Sequence, residues 1–504
     1  MRRPGRACFV LGVIVAAACR PQRPARDEST LVVAVRADVA GIFPNQPFVF
    51  EAFTVGVNAN MFEGLIRYDN RLLVEPALAE RWEDVDDRTC VLVLRPGLLF
   101  SDGRPVTSRD VVASLLAVQR RHWPSETMLR SFESVRALDD RRVEVRSASR
   151  DPLLVHRLYF GFVFPAAVVD AEKVPPVGTG PYRLVAWRPG EELLLERNRH
   201  FRGPAPDFEK VRLKVIPQAE ARIRAVVRGE ADLADHIPLR ALERLKAQPA
   251  LRVVARATNR ILFLALRTDQ EPFCDLRVRQ AVDVALDREE LIRRALGGVA
   301  QPASQIVTRE IVGYNPELGV TQPDRERARR LLQEAGYGAG LAVRLDGTNN
   351  RYVNDSELLA EIARQLGEVG IQVTVNALDK RELFPLIHTG RSKLHMIGWG
   401  AESGDAADGL RSFLHSPSSD LRYGSGNTVG LADAELDRVI DEAAAIVDPA
   451  KRAAALRAVV KRVADLHALV PLLVQTEAVA LSQRIVWEPG LNFALRFDQV
   501  HRAR

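Results

Sequence analysis

Cysteine is nearly absent. The 504 residues contain four, and two of them, Cys8 and Cys19, fall in the first twenty positions. Cys90 sits in a strand-like run (TCVLVLRPG) and Cys274 in a loop (EPFCDLR). One pair so far apart argues only weakly for a disulfide, so two separate thiols are the expectation. Long uncharged apolar runs are missing beyond the first twenty residues, and with them any membrane-spanning helix. A concentrated basic face is missing too. The net charge is +6, but residues 1–28 alone carry six arginines against Asp27 and Glu28. Elsewhere arginines alternate with acids, which speaks against a nucleic-acid partner. No phosphate-cradling Gly-Lys-Ser/Thr loop, His-Glu-x-x-His pair, Cys-x-x-Cys or Gly-x-Ser-x-Gly elbow occurs. The nine histidines are scattered without metal-ligand spacing. Asp86-Asp87 and Asp139-Asp140 are adjacent pairs, which point to opposite faces of a strand and make poor acid/base couples. No enzyme, metal or cofactor is expected.

What is present begins with a leader. Arg2, Arg3 and Arg6 precede an apolar run from Ala7 to Ala18 that ends in three alanines before Cys19. That is the layout of a secretory signal peptide, too short to span a bilayer. A cysteine directly after small residues indicates a lipidated Cys19, with Ala16 where the usual lipobox has leucine. Ordinary secretion with cleavage near Ala18 is the alternative. Residues 20–30 are polar, contain two prolines and read as a tether.

The rest mixes strands and helices without a repeat. Leu31–Val35, Val91–Leu94, Val143–Val145, Leu193–Glu196, Val211–Ile216, Leu262–Leu266, Ile371–Val375 and Leu472–Val474 read as strands. Helical spacing runs through 51–66, from Thr107 and Asp110 onward, and through Leu276–Leu296, Asp324–Ala335, Ser356–Val369, Leu436–Ile446 and Ala450–Leu469. Gly336 and Gly370 stand where helix ends want glycine, and Pro471 is expected to stop the last helix. The class is mixed α/β with several sheets.

Ordered blocks of residues then carry a family likeness. They are Asn60–Tyr68 (NMFEGLIRY), Pro76–Trp82 (PALAERW), Leu94–Gly97 with Phe100–Gly103, Val177–Tyr182 (VGTGPY), Gly229–Asp232 (GEAD), Pro272–Ala281, Ala285–Arg288 and Ala328–Tyr337. Together they resemble the extracytoplasmic solute-binding proteins of peptide and nickel ABC importers. The resemblance implies a two-lobed periplasmic-binding-protein fold of the cluster C type, with mixed sheets, hinge strands and an extra subdomain. The expected division is a leader over 1–19, a tether over 20–30, a first lobe over 31–265 with 66–176 as extra subdomain, a second lobe over 266–472, and a return to the first lobe over 473–504. It also implies function: a monomeric, lipid-anchored periplasmic receptor that delivers a peptide or similar polar solute to permease and ATPase subunits. A non-peptide solute such as an oligosaccharide or metal chelate, or a sensor-coupled receptor, remains the alternative.

The resemblance also proposes residues. In peptide-binding relatives an aspartate shortly after a Gly-Trp pair captures the solute's α-amino group; here Glu402 falls at that place. Asp405 matches a second acid, though Ala406 replaces the proline that follows it, and Asp405 can instead cap a helix beginning near Asp408. Trp399 can offer a flat apolar face or pack behind the loop. Arg351 lies close to where relatives place a carboxylate-pairing arginine. Asn427 matches an asparagine near the cleft or is simply a turn residue. Phe43–Phe48 could line the opening, and Gly178-Thr179-Gly180 is expected to set a tight turn.

Overall fold

The computed structural model describes residues 27–43, 46, 52–418 and 423–504. The leader, Cys19, the tether up to residue 26 and most of Phe43–Phe48 lie outside the described residues. One mixed sheet of 11 strands runs through the molecule. From edge to edge its strands are Ile371–Leu378, Leu341–Thr348, Leu394–Gly400, Leu251–Leu266, Leu469–Ser482, Leu233–Ala234, Thr30–Val35, Lys210–Val215, Glu192–Arg197 and Tyr182–Arg188. Gln301–Pro302 attaches to Leu469–Ser482. Strands alternate their side chains between two faces, and each face has its own core. Ile261, Phe263 and Ala265 belong to one; Leu262, Leu264 and Leu266 belong to the other. A leucine buried this way contributes about 1.5–3 kcal/mol of transfer free energy.

The two central strands are the longest, at 16 and 14 residues. They pair from Leu251 with Ser482 to Ala257 with Thr476, and again from Ile261 with Val474 to Ala265 with Leu469. Between these stretches Thr258, Asn259 and Arg260 oppose Gln475 alone. The bulge divides the sheet into two halves joined by a short irregular crossing. The division expected from the sequence, at 265/266 and 472/473, falls within these two strands, whose pairing is interrupted at 258–260 and 475. The apolar runs Leu262–Leu266 and Leu472–Val474 are only the second-half portions of these strands.

A separate antiparallel sheet orders Ala79–Asp86, Thr89–Leu94, Arg142–Ser147 and Phe132–Ala137, with helix Ser108–Arg120 beside it. It lies within the segment expected as the extra subdomain. Thr107 and Asp110 cap its helix reciprocally, as their spacing predicts. Asp324 caps Arg325–Glu334, while Gly336 and Gly370 adopt positive φ.

Two expected helices end differently. Leu276–Leu296 is broken into Leu276–Ala285 and Arg288–Leu296. Asp287 starts the second helix by accepting the Glu290 N–H at 2.9 Å, and Gln365 Oε1 takes the Asp287 N–H at 2.8 Å. The last helix, Pro449–Asp465, stops before Pro471, at a left-handed His467. Pro471 instead lies inside a strand, opposite Phe263 where the register shifts. Gly178 and Gly180 serve close packing: a Cβ would lie 2.2 Å from Met61 O and 2.6 Å from Asn60 O. Cys90 is buried, Cys274 is exposed, and both thiols are free.

Candidate functional site

Strand Leu394–Gly400 pairs with the first long strand, setting Trp399 opposite Ile261, Gly398 opposite Leu262 and Gly400 opposite Arg260. Paired residues share a face and neighbours alternate, so Trp399 and Arg260 point to opposite faces. On its side, the half-buried Trp399 indole meets Phe413 edge-on with centroids 6.0 Å apart. Gly409 makes room for it, since a Cβ there would lie 2.3 Å from the ring.

On the other side, the Arg260 stem lies against Gly398. A Cβ on Gly398 would come 3.2 Å from Arg260 Cδ and 3.1 Å from the Tyr352 ring. The Tyr352 hydroxyl accepts the Gly398 N–H at 2.7 Å and the Arg351 Nε–H at 3.1 Å. Asp355 holds this loop by accepting from Thr348 Oγ1 at 2.8 Å and from the Arg351 and Tyr352 N–H groups at 3.0 and 3.2 Å. Burial nevertheless raises the Asp355 pKa. The Arg351 guanidinium lies 5.0 Å over the Phe384 ring. Arg36, which follows the first strand, donates to Arg351 O at 2.8 Å. That bond ties the two halves of the sheet together across the crossing.

The loop after Gly400 carries both candidate acids. Burial pushes Glu402 above the usual carboxylate range, while Arg260 and Asn492 work against the shift. Asn492 Nδ2 donates to Glu402 Oε2 at 3.5 Å, and Asn259 Nδ2 holds Ala401 O at 3.1 Å. Asp405 is fully buried and engaged at both oxygens. Arg452 Nε donates to its Oδ2 at 2.7 Å and Nη2 to its Oδ1 at 3.0 Å. Asp405 Oδ1 also accepts the Ala407 N–H at 2.8 Å, at the start of helix Ala407–Phe413. Asn427 organises a turn: its Nδ2 donates to His415 O at 3.0 Å and Leu431 O at 2.8 Å, and its Oδ1 accepts from Leu431 N at 3.1 Å.

Arg260 thus lies near both the Tyr352 loop that carries Arg351 and the Glu402 carboxylate, which also neighbours Tyr68 and Tyr159. Trp399 lies behind the strand, and Asp405 and Asn427 are bound within the second half. A cavity of about 650 Å³ opens on the Asp405 side, lined by Pro152, His156, Tyr314, Ser403 and Arg452 among others, but by neither Trp399 nor Glu402. Sequence reasoning missed Arg36, Arg260, Tyr352 and Asn492. For Arg260 the available signal was a charged residue set directly before an apolar strand. Among the described residues no group of three His, Cys, Asp or Glu side chains is placed to hold a metal. Among them, too, no helix is long and apolar enough to cross a membrane.

Comparison with known proteins gives one family. Residues 74–420 match the model for the middle region of bacterial extracellular solute-binding proteins, family 5. A glutathione-binding protein, GsiB from Pectobacterium atrosepticum, is 26% identical over 414 residues, covering 78% of each chain. The periplasmic binding protein DppA from Helicobacter pylori, solved with the peptide STSA, superposes with a TM-score of 0.82 at 22% identity, over 94% of this chain and 98% of its own. NikA from Brucella suis, solved with Fe(III)-EDTA, gives a TM-score of 0.83 at 24% identity, over 94% and 99%. The fold is thus the two-lobed α/β fold of periplasmic binding proteins.

Proposed function

The chain belongs to the bacterial extracellular solute-binding proteins of family 5, which are receptors and not enzymes, and on that premise we propose that it captures a peptide-like solute with a free amine. The solute lies between the two lobes, and the loaded protein presents it to the permease and ATPase subunits of an ABC importer. Lipidated Cys19 anchors the receptor at the membrane outside the cytoplasm.

One observation carries this reading. Glu402 is a half-buried carboxylate, and among the described residues it makes no salt bridge; the nearest cationic influence on it is the through-space charge of Arg260. A solute ammonium would supply the missing counter-charge, and charge-assisted contacts of that kind are among the stronger hydrogen bonds. Arg351 and Trp399 line and back the site, while Asp405 and Asn427 keep its loops in place. The Arg36–Arg351 bond helps hold the lobes closed, and the bulge at Thr258–Arg260 is the hinge, since closure needs only a few residues whose dihedrals change. The glutathione named for GsiB and the peptide bound to DppA both carry a free amine.

Native mass spectrometry of the purified protein, followed by thermal shift with glutathione and tri-alanine, tests the reading. Saturation at about 100 times Kd should add about 2.7 kcal/mol of stability. Retained amine-bearing peptides that raise the melting point support it. No shift with either peptide, together with a shift from a neutral sugar, overturns it. Metabolic palmitate labelling lost in Cys19→Ala tests the anchor; label retained by that variant excludes Cys19.

A further inference from the structure

Two buried polar atoms stand unpaired where the long strands cross. Among the described residues, nothing hydrogen-bonds to Arg260 Nε or to Gln475 Oε1. A buried donor or acceptor without a partner is costly, so each such atom asks what completes it.

Their placement gives an answer. Leu262 pairs with Leu473. Arg260 stands two residues before the one and Gln475 two residues after the other, so both side chains belong to the same face. The Thr258 hydroxyl ties their backbones together, accepting the Arg260 N–H at 3.1 Å and donating to Gln475 O at 3.0 Å. Gln475 is only 3% exposed. Its Nε2 is fixed on Glu477 Oε1 at 2.6 Å, which leaves Oε1 as the unpaired atom. The neighbouring Glu477 and Asp235 carboxylates are themselves engaged by His236, whose Nε2 lies 3.4 Å from Glu477 Oε2 and whose Nδ1 lies 2.8 Å from Asp235 Oδ2. Arg260 acts on Glu402 through space, while Asn492 makes the hydrogen bond to that acid.

An unpaired cationic donor and an unpaired amide acceptor on one face match a carboxylate that has an N–H next to it. The C-terminal end of a peptide has that shape and charge. Arg351 is less suited to the task, since its Nε is already on the Tyr352 hydroxyl and its guanidinium is stacked on Phe384. Building on the proposed function, we infer that Arg260 and Gln475 form the subsite for the solute's carboxylate and its adjacent amide N–H. The guanidinium donates to the carboxylate, and Gln475 Oε1 accepts the N–H. Glu402 receives the amine. The receptor then selects short zwitterions whose two charged ends span the distance between the crossing and the Glu402 loop. Because the subsite sits on the hinge itself, a bound carboxylate also bridges the segment that must bend for closure.

Isothermal titration calorimetry with tri-alanine and tri-alanine amide, on wild type, Arg260→Met and Gln475→Met, tests this. Wild type should bind the free acid at least tenfold tighter than the amide. The acid-to-amide ratio should collapse toward one in Arg260→Met, and both affinities should fall in Gln475→Met. The ratio is read within one protein, so it does not depend on total stability; if Arg260→Met does not fold, Arg260→Gln replaces it. A ratio that survives loss of the arginine overturns the Arg260 assignment and leaves the peptide reading standing. Equal binding of acid and amide by wild type overturns carboxylate recognition altogether. Failure of both peptides to bind wild type overturns the proposed function, and this subsite's ligand with it.

Discussion

Glu402 and Asp405 lie three residues apart in one loop, and the fold treats them in opposite ways. Asp405 receives two hydrogen bonds from Arg452 and one from a helix N–H. Glu402 receives one long bond from Asn492, and burial holds its pKa up. Asp405 is buried and Glu402 half-buried in this loop, where an ion without its partner is expensive in proportion to its burial. Arg452 settles that cost for Asp405 inside the protein. Nothing described does the same for Glu402. On the proposed reading, position in a loop does not decide which acid serves the solute; the presence or absence of a resident cation does.

That contrast can be broken by substitution. The largest effect belongs to the closed pair. Asp405→Ala leaves Arg452 buried without its anion and should cost about 3–5 kcal/mol in chemical denaturation. A double variant with Arg452→Met should recover part of the loss. A cost below about 1 kcal/mol for Asp405→Ala would mean that the pair does not support the loop. Asn427→Ala comes next. It strips partners from three backbone groups of one turn, and should cost about 1–3 kcal/mol without changing solute affinity. A loss of affinity at unchanged stability would move Asn427 into the site.

Glu402→Gln should leave stability unchanged or slightly raised, because it removes a half-buried charge that makes no salt bridge among the described residues. A loss as large as that of Asp405→Ala would erase the distinction between the two acids. The smallest effect is one of pH. Burial raises the Glu63 carboxyl from its ordinary value to about 7, against the pull of Arg496 and Arg67. A carboxyl whose folded pKa is raised binds more protons folded than unfolded. Its contribution therefore falls as pH climbs from about 4.5 to about 7. Glu63→Gln should flatten the stability profile across that window, read as denaturation midpoints at pH 5 and pH 8. An unchanged slope would show that Glu63 does not titrate there.

Much of the fold was legible because it rests on local rules. The Thr107–Asp110 cap, the Asp324 cap and the glycines at 336 and 370 act within a few residues, so their spacing is enough. Pro471 misled because the stop it signals was already supplied by His467, and because a bulge accommodates it within the strand. The split at Asp287 was hidden since helical spacing continues through it; the break depends on Gln365, which is distant in sequence. In the proposed site, Glu402 and Arg351 were reachable through family likeness. Arg260 and Gln475 were not, because their juxtaposition arises from pairing between strands 215 residues apart in the chain. The engagement of Asp405 by Arg452 is hidden for the same reason.

The central claim is that Glu402 is the unpaired acid that receives the solute's amine. Calorimetric titration of wild type and Glu402→Gln with tri-alanine tests it most directly. The account predicts at least a tenfold loss of affinity, about 1.4 kcal/mol, with the fold intact. Equal affinity in the two proteins would contradict it.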